Sequence, residues 1–240
     1  MVLPKLLLID KPKGISSFGI IHQLRRKIGI RKFGHAGTLD PLATGLMLIG
    51  VQDGTKLLSE LIGLDKEYEA KIIIGERRLT GDMEGEILAE KEYKEDITTE
   101  EIEKVLKNLC GEIELPVSVY SAIRKDGVPL YKKARAAARK GQIFTDAPTR
   151  KMKVYEAVLQ STEVITLAGK KRLLLSVRFF VGSGTYIRSL AEEVGRQLNY
   201  PATLYELRRT KVGKYTVEQA WKLENINNET FVVPSPTQMG

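Results

Sequence analysis

The sequence predicts a globular protein that combines helices with strands. Hydrophobic residues make up 42% of the 240 residues and charged residues 28%, which is ordinary for globular proteins. Leu173 to Val181 alternates apolar and polar residues with the period of a strand. Thr98 begins a capping box, and apolar residues follow at helical spacing as far as Leu109. A chain of this length can bury a core as one large domain or as two small ones.

Composition excludes several classes of site. The formal net charge of +8 favours a polyanionic partner, although charge alone does not define a site. Cys110 is the single cysteine, which excludes an internal disulfide and a zinc site of several cysteines. His22 and His35 are the only two histidines, which argues against a hydrolytic triad and against a metal site built from several histidines. No apolar run has the length of a membrane span, and the N-terminus lacks a signal-peptide pattern, so we expect a cytoplasmic protein.

The first predicted elements are a strand and a basic helix. Leu6 to Ile9 is apolar and is followed by the turn sequence DKPKG. Either Ser16 or Ser17 can cap the helix that follows, and its apolar face has helical spacing. The basic residues of the helix and of the segment after it indicate either an ordinary solvated surface or a basic wall beside the next loop. These residues are Arg25, Arg26, Lys27, Arg31 and Lys32.

The loop sequence GHAGTLDPLATGLMLIG, from Gly34 to Gly50, has Asp40 at its centre. Glycines allow unusual backbone shapes and close approach, and Pro41 restricts the conformation of Asp40. The pattern is therefore consistent with a shaped loop that presents a carboxylate and continues into a buried strand. An Asp-Pro pair is equally typical of a helix start, with Asp40 as the N-cap. These residues by themselves leave both interpretations open.

The middle of the chain changes sign in charge. Tyr68 to Gly75 is predicted to be a buried strand. Between Asp82 and Glu103 there are ten acids and two lysines, which is typical of a solvated acidic face. From Tyr120 to Lys153 there are ten Lys or Arg residues and two Asp. Basic residues interleaved with tyrosines suit RNA, although an exposed charged helix explains them equally well.

The C-terminal half contains further strand patterns and one glycine-rich turn. We predict strands at Val154 to Leu159 and at Val164 to Leu167, before the strand that ends at Val181. Gly182 and Gly184 then precede a helix, as in dinucleotide-binding proteins, but Ile187 occupies the place of the third glycine. On its own, Arg188 is explained by a weak interaction with Glu192 one turn later.

The motifs resemble the TruB family of tRNA pseudouridine synthases along nearly the whole chain. The resemblance rests on DKPKGISS, GHAGTLDPLATGLM, KEYEA, LTGDMEG, YSAIRKDGVPLYKKAR, GTYIRSLAEEVG and LRRTKVGKY. Two motifs depart from the family pattern. Arg77, Arg78 and Leu79 stand where the family has more Thr and Asp, and Arg124 replaces the usual Lys. Pro234 to Pro236 lies where bacterial members continue into a C-terminal PUA module, so we expect one catalytic domain over 1–240, ending in 216–240, without that module.

This resemblance implies a fold, an activity and a set of site residues. The fold is expected to be mixed α/β (α+β), a mostly antiparallel sheet with flanking helices around a central cleft. The activity is expected to be conversion of uridine 55 to pseudouridine in the TΨC loop of tRNA, by a monomer without guide RNA, cofactor or metal. The resemblance implies that Asp40, Tyr68 and Arg188 are catalytic and that His35, Tyr68, Tyr186 and Leu207 bind the substrate.

Pseudouridine formation detaches uracil from ribose C1′, turns the base and rejoins it through C5. Asp40 is predicted to act either as a nucleophile at C1′ or as a base that removes the 2′ proton. An arginine within about 4–6 Å would keep such a carboxylate ionised. Tyr68 is the candidate for stacking on the base and assisting loss of the C5 proton. The rival functions are a guide-RNA-dependent synthase, a non-catalytic RNA-binding protein and a nucleotide-binding enzyme that uses Gly182 to Gly184.

Overall fold

The computed structural model describes residues 4–121, 123–142, 144 and 146–227. The predicted junction at Pro234 to Pro236 and the single residues Ala122, Ile143 and Thr145 of the basic segment lie outside the described residues. The chain divides into two compact units. Unit 1 comprises the residues up to Tyr68 together with those from Leu207 onward, and unit 2 is Glu69–Glu206.

Unit 1 is a mixed sheet with helices beside it. Its elements are β1 (Leu6–Lys11), α1 (Ser17–Ile28), β2 (Phe33–His35), β3 (Thr44–Val51), a 3-10 helix (Gln52–Leu57), α2 (Leu58–Ile62), β13 (Tyr215–Thr216) and β14 (Trp221–Lys222), with short 3-10 helices at Val217–Gln219 and Leu223–Asn225. The strands β4 (Lys66–Ile74) and β12 (Ala202–Val212) each have residues in both units. In unit 1 the strand order is β14-β1-β3-β12, with β2 beside β3 and β13 beside β12.

The pairing in unit 1 is antiparallel between β1 and β3, between β2 and β3, and between β12 and β13. It is parallel between β1 and β14 and between β3 and β12. The core of this unit includes Leu46 and Leu48 of β3, which lie among the buried residues Ala36, Val212 and Val217. Because β3 is buried along almost its whole length, it is a rigid anchor for the loop that precedes it.

Unit 2 is antiparallel. Its elements are β5 (Glu76–Arg78), β6 (Ile87–Glu90), α3 (Thr99–Asn108), β7 (Gly111–Pro116), β8 (Arg124–Lys125), β9 (Val128–Pro129), α4 (Leu130–Ala138), β10 (Thr149–Leu167), β11 (Lys170–Val181) and α5 (Ile187–Gln197). The strand order is β4-β11-β10-β7, and α3 packs against β10 and α5. Both units together confirm the expected mixed α/β class with mostly antiparallel pairing, whereas the central cleft stays a prediction.

The predicted helix boundaries are confirmed in physical detail. Ser16 is the N-cap of α1, and its side chain accepts a hydrogen bond from the amide of Gly19. Thr98 and Glu101 form the predicted capping box of α3. The strands predicted at Val154 to Leu159 and at Val164 to Leu167 are parts of one strand of 19 residues, β10. Register shifts near Tyr155 and Gln160 break the period of two, which hides this continuity in the sequence. No helix among the described residues is long and apolar enough to cross a membrane.

Candidate active site

The Asp40 loop joins β2 to β3 in unit 1. The residues after Asp40 form a turn in which the amide of Ala43 donates to the carbonyl of Asp40 at 3.1 Å, and β3 begins at the next residue. No helix starts at this point, so the helix-cap interpretation of the Asp-Pro pair is wrong and the presented loop is correct. Asp40 itself is half-buried, at the end of a segment that the surrounding protein holds from both sides.

Two buried polar side chains fix the residues that flank Asp40. The hydroxyl of Ser17 donates to the carbonyl of Leu39 and accepts from its amide, both at 2.8 Å. Lys11 is fully buried, and its ammonium donates to the carbonyls of Ile15 at 2.8 Å and of Pro41 at 3.3 Å. The backbone immediately before and immediately after Asp40 is therefore tied to the start of α1 and to the turn before it.

The end of the same loop packs against β12. Gly45 has φ +102°, and a Cβ added there would lie 2.2 Å from the carbonyl oxygen of Arg209, so only glycine fits. The parallel register places Thr44 opposite Arg208 and Gly45 opposite Arg209. The hydroxyl of Thr44 donates to the carbonyl of Leu207 at 3.4 Å. Leu207 is a predicted substrate-binding residue. It is thus held by Thr44, which follows Asp40 by four residues, at the contact between β3 and β12.

Arg209 links this strand to His35. Its Nε donates to the carbonyl of Leu46 at 2.7 Å and one Nη donates to the carbonyl of Gly37 at 3.3 Å. Burial lowers the pKa of His35, and the positive charge of Arg209 lowers it further. Both effects favour the neutral form of the imidazole. Its Nδ1 is buried and has no hydrogen-bond partner among the described residues.

Tyr68 lies on β4 and is 7% exposed. The residue before it, Glu67, accepts hydrogen bonds from the hydroxyl of Thr210 at 2.8 Å and the ammonium of Lys211 at 3.4 Å. These contacts fix the start of β4 against β12. They restrict the backbone that carries the Tyr68 ring.

Arg188 and Tyr186 lie in unit 2 at the beginning of α5. Arg188 is 5% exposed, and its guanidinium donates to the carbonyl of Thr80 at 2.7 Å, to the hydroxyl of Ser118 at 3.0 Å and to the carbonyl of Tyr120 at 3.3 Å. Asp82 adds a carboxylate oxygen at 3.8 Å. Arg188 therefore connects two loops that are far apart in sequence. These contacts extend beyond the weak interaction with Glu192 that its position in the helix predicts. Tyr186 is the half-buried N-cap residue of α5.

The turn around Asp82 explains one departure from the family pattern. Asp82 is buried, and its carboxylate accepts from the hydroxyl of Thr80 and from the amide of Glu84. Arg78 donates to Glu76 and, through Nη1, to the carbonyls of Met83 and Gly85. The unusual arginine therefore stabilises the turn from inside. Asp82 is an exception to the predicted solvated acidic face, although the neighbouring strand β6 is exposed as predicted.

The predicted basic segment contains the helix α4. Leu130 and Ala134 are its buried residues, whereas Lys132 and Arg135 are exposed. Asp126 and Asp146, the two acids of this segment, form ion pairs with Lys133 and Lys125 respectively. The guanidinium of Arg135 lies 5.6 Å from the centre of the Tyr131 ring. The remaining basic residues are therefore not neutralised by the acids of their own segment.

The structure thus connects three predicted residues of unit 1, His35, Asp40 and Leu207, through the contacts around β3. Tyr186 and Arg188 are neighbours in unit 2. The buried residues Lys11, Ser17 and Arg209 were missed as positioning groups, and the DKPKGISS and LRR motifs were the available signals. Among the described residues, no group of three or more His, Cys, Asp or Glu is arranged to hold a metal ion.

Comparison with known proteins identifies the family. A model of the TruB family pseudouridylate synthase (N terminal domain) matches residues 25–187, which is more than half of the chain. The chain belongs to the TruB family. It is 38% identical over 232 residues to the tRNA pseudouridine synthase B of Leifsonia xyli subsp. xyli, covering 96% of this chain and 74% of that protein. It is 37% identical over 222 residues to the protein of the same name from Geobacillus kaustophilus, covering 92% and 75%.

Solved structures support the same family. The chain resembles a chain of a Cbf5-Nop10-Gar1 complex with a TM-score of 0.62 and 26% identity, over 91% of this chain and 52% of that one. A second match is a chain of an H/ACA RNP bound to a substrate RNA containing 2′-deoxyuridine, with a TM-score of 0.59 and 26% identity, over 91% and 51%. This TruB family member spans about half the length of those solved chains. As a pseudouridylate synthase, it is an isomerase.

Proposed function

We propose that this TruB family member converts uridine 55 of tRNA to pseudouridine, acting on the TΨC stem-loop as a cytoplasmic monomer without a guide RNA. The proposal rests on the position of Asp40 within the sequence GHAGTLDPLATGLM. Its loop is fixed by hydrogen bonds from Ser17 to Leu39, just before Asp40, and from Lys11 to Pro41, just after it. The names of the Leifsonia and Geobacillus relatives supply the tRNA substrate. The unneutralised basic residues of α4 and its flanks supply positive charge for an RNA backbone.

Asp40 is the reacting carboxylate in this proposal. The isomerisation breaks the bond between ribose C1′ and uracil N1 and forms a bond from C1′ to C5. C5 releases its proton to solvent and N1 takes one up, so the product is an isomer of the substrate. The carboxylate either attacks C1′ and is later displaced by C5, or removes the 2′ proton and returns it after the base has turned. Neither route changes the oxidation state of the base and sugar taken together, so the reaction does not need a redox partner. A rigid loop favours both routes because the reacting atoms start close to their reactive positions.

The surrounding residues bind the displaced nucleotide. The target uridine must leave its stack, at a cost of a few kcal/mol that a loop nucleotide pays most easily. His35, held neutral by burial and by Arg209, and Leu207 provide flat and apolar surfaces in unit 1. Tyr68 stacks on uracil, and Tyr186 is a further substrate-binding residue of the proposal. Arg188 is the further catalytic residue of this proposal, and its own hydrogen bonds order the loops at Thr80 and Tyr120.

The test is to map pseudouridine in an unmodified tRNA transcript that has been incubated with the purified chain alone. The proposal predicts modification at uridine 55 by the wild-type protein and none by Asp40→Ala. Modification that requires an added guide RNA would instead support a guide-dependent synthase. Binding of tRNA without modification by any variant would support a non-catalytic RNA-binding protein.

A further inference from the structure

A long segment of unit 1 carries only positive charge. Between Asp10 and Asp40 there is no Asp or Glu, whereas seven residues are Lys or Arg. They are Lys11, Lys13, Arg25, Arg26, Lys27, Arg31 and Lys32. The helix α1 lies in the middle of this segment. Its surface therefore presents to solvent a positive field that no acid of the same segment reduces.

The exposed side of α1 has an aromatic residue beside these cations. Phe18 is 55% exposed, more than any other described large hydrophobic side chain. The His22 ring meets it edge-on with centroids 4.7 Å apart, and the guanidinium of Arg25 lies 5.7 Å from the centre of the Phe18 ring. Arg25 is held in place because its Nε donates to the carbonyl of Arg31 at 2.9 Å. We call Phe18, His22, Arg25 and Arg26 the α1 face.

Packing within the protein does not explain this arrangement. The opposite side of α1 is buried through Ile20, Ile21, Leu24 and Ile28, so the helix already has a complete apolar face. Phe18 contributes little to that core, and exposing a phenyl ring to water has a free-energy cost. An exposed aromatic ring beside an arginine is instead a typical feature of surfaces that stack unpaired bases and bind the adjoining phosphates.

The position of Phe18 relates the α1 face to the candidate site. Ser17, the residue before Phe18, is hydrogen-bonded to both backbone groups of Leu39, and Leu39 immediately precedes Asp40. At 1.5 Å per residue, Arg25 lies about 10 Å farther along the helix axis than Phe18. The α1 face therefore begins beside the Asp40 loop and leads away from it.

We propose that the α1 face binds an unpaired nucleotide of the substrate tRNA next to the one that is modified. The base stacks on Phe18, and Arg25 and Arg26 bind its flanking phosphates. This inference rests on the proposed RNA substrate but assigns a contact outside the residues that handle the target uridine. The occupant is RNA because the acid-free segment attracts an anion and the ring adds a flat apolar surface that every base can use.

The test measures tRNA affinity of full-length variants at several salt concentrations. Phe18→Ala and Phe18→Leu are expected to weaken binding about 5- to 100-fold, because stacking of one base is lost and leucine has no flat ring. Phe18→Trp is expected to bind at least as tightly as the wild type. Arg25→Ala is expected to reduce the slope of log affinity against log salt by about 0.7, the contribution of one single-strand phosphate. Lys104→Ala, an exposed cation on the acid-rich helix α3, is the matched control and should change neither value.

Unfolding curves establish that each variant is folded, which is expected because Phe18 is mostly exposed. Wild-type affinity in both Phe18→Ala and Phe18→Leu would overturn the inference, as would an equal loss in Phe18→Trp. Pseudouridine mapping separates it from the proposed function. If the wild type forms no pseudouridine but Phe18→Ala still weakens tRNA binding and Phe18→Trp does not, the contact is supported and the proposed activity is wrong.

Discussion

Replacing Ser17 with alanine should damage the Asp40 loop specifically. The hydroxyl of Ser17 is 2.8 Å from both the amide and the carbonyl of Leu39, and both residues are buried. Ser17→Ala removes both hydrogen bonds and leaves a buried backbone amide and carbonyl without this partner, at roughly 1–3 kcal/mol for each group. Because some relaxation is expected, we predict a loss of about 2–4 kcal/mol in the free energy of unfolding.

The same change should slow the reaction. Leu39 is bonded to Asp40, so a shift of the Leu39 backbone moves the carboxylate, and a displacement of about 1 Å can cost on the order of 100-fold in rate. The assay is a urea unfolding curve combined with kcat for pseudouridine formation at saturating tRNA. We expect kcat to fall about 10- to 100-fold in Ser17→Ala.

The neighbouring serine provides a matched control. Ser16 is exposed and caps α1 through one hydrogen bond to the amide of Gly19 at 3.0 Å. Ser16→Ala should therefore cost about 1 kcal/mol of stability, as other N-cap losses do. Its kcat should stay near the wild-type value because its hydroxyl has no contact with Leu39. Equal kcat values for the two variants would refute the reasoning that Ser17 positions the Asp40 loop.

Three further changes test other parts of the site. Gly45→Ala should lower the free energy of unfolding, measured with urea, by more than about 2 kcal/mol, because its Cβ would clash with the Arg209 backbone at a positive φ. Wild-type stability would contradict this account of the β3–β12 contact. Arg188→Lys keeps the charge but loses most of the hydrogen bonds to Thr80 and Tyr120, so protease resistance of the basic segment and kcat should both fall, kcat by at least about tenfold. Because the pKa of His35 is lowered in the folded protein, the unfolded chain binds a proton at a higher pH than the folded one. The free energy of unfolding should therefore decrease as the pH falls below about 6.5. His35→Gln should show a smaller decrease, and a pH profile identical to that of the wild type would contradict the lowered pKa of His35.

Local sequence patterns predicted a helix start and a strand. The α3 capping box needs only Thr98 and Glu101, and the strand that ends at Val181 has a clear period of two. The sequence of β10 predicts two strands because register shifts at Val154/Glu156 and Leu159/Ser161 interrupt its alternation. Sequence periodicity cannot distinguish such an irregularity from the end of a strand.

Long-range polar contacts could not be predicted in the same way. Ser17 binds a backbone 22 residues away, and Arg188 binds Thr80 at a separation of 108 residues. In a single sequence these side chains look like a second capping serine and a helix surface arginine. The resemblance to a family pointed to Arg188, but it gave no partners for Ser17, Lys11 or Arg209. These three side chains are buried and their polar groups are hydrogen-bonded, which only the folded structure reveals.

The central claim is that the Asp40 carboxylate carries out the isomerisation. The most direct measurement is release of tritium from tRNA labelled at uridine C5, because the label is lost only when C5 forms its new bond to the ribose. Wild-type protein should release tritium, whereas Asp40→Asn, which keeps the size of the side chain but removes its charge, should release none above background. Tritium release by Asp40→Asn at the wild-type rate would contradict the account.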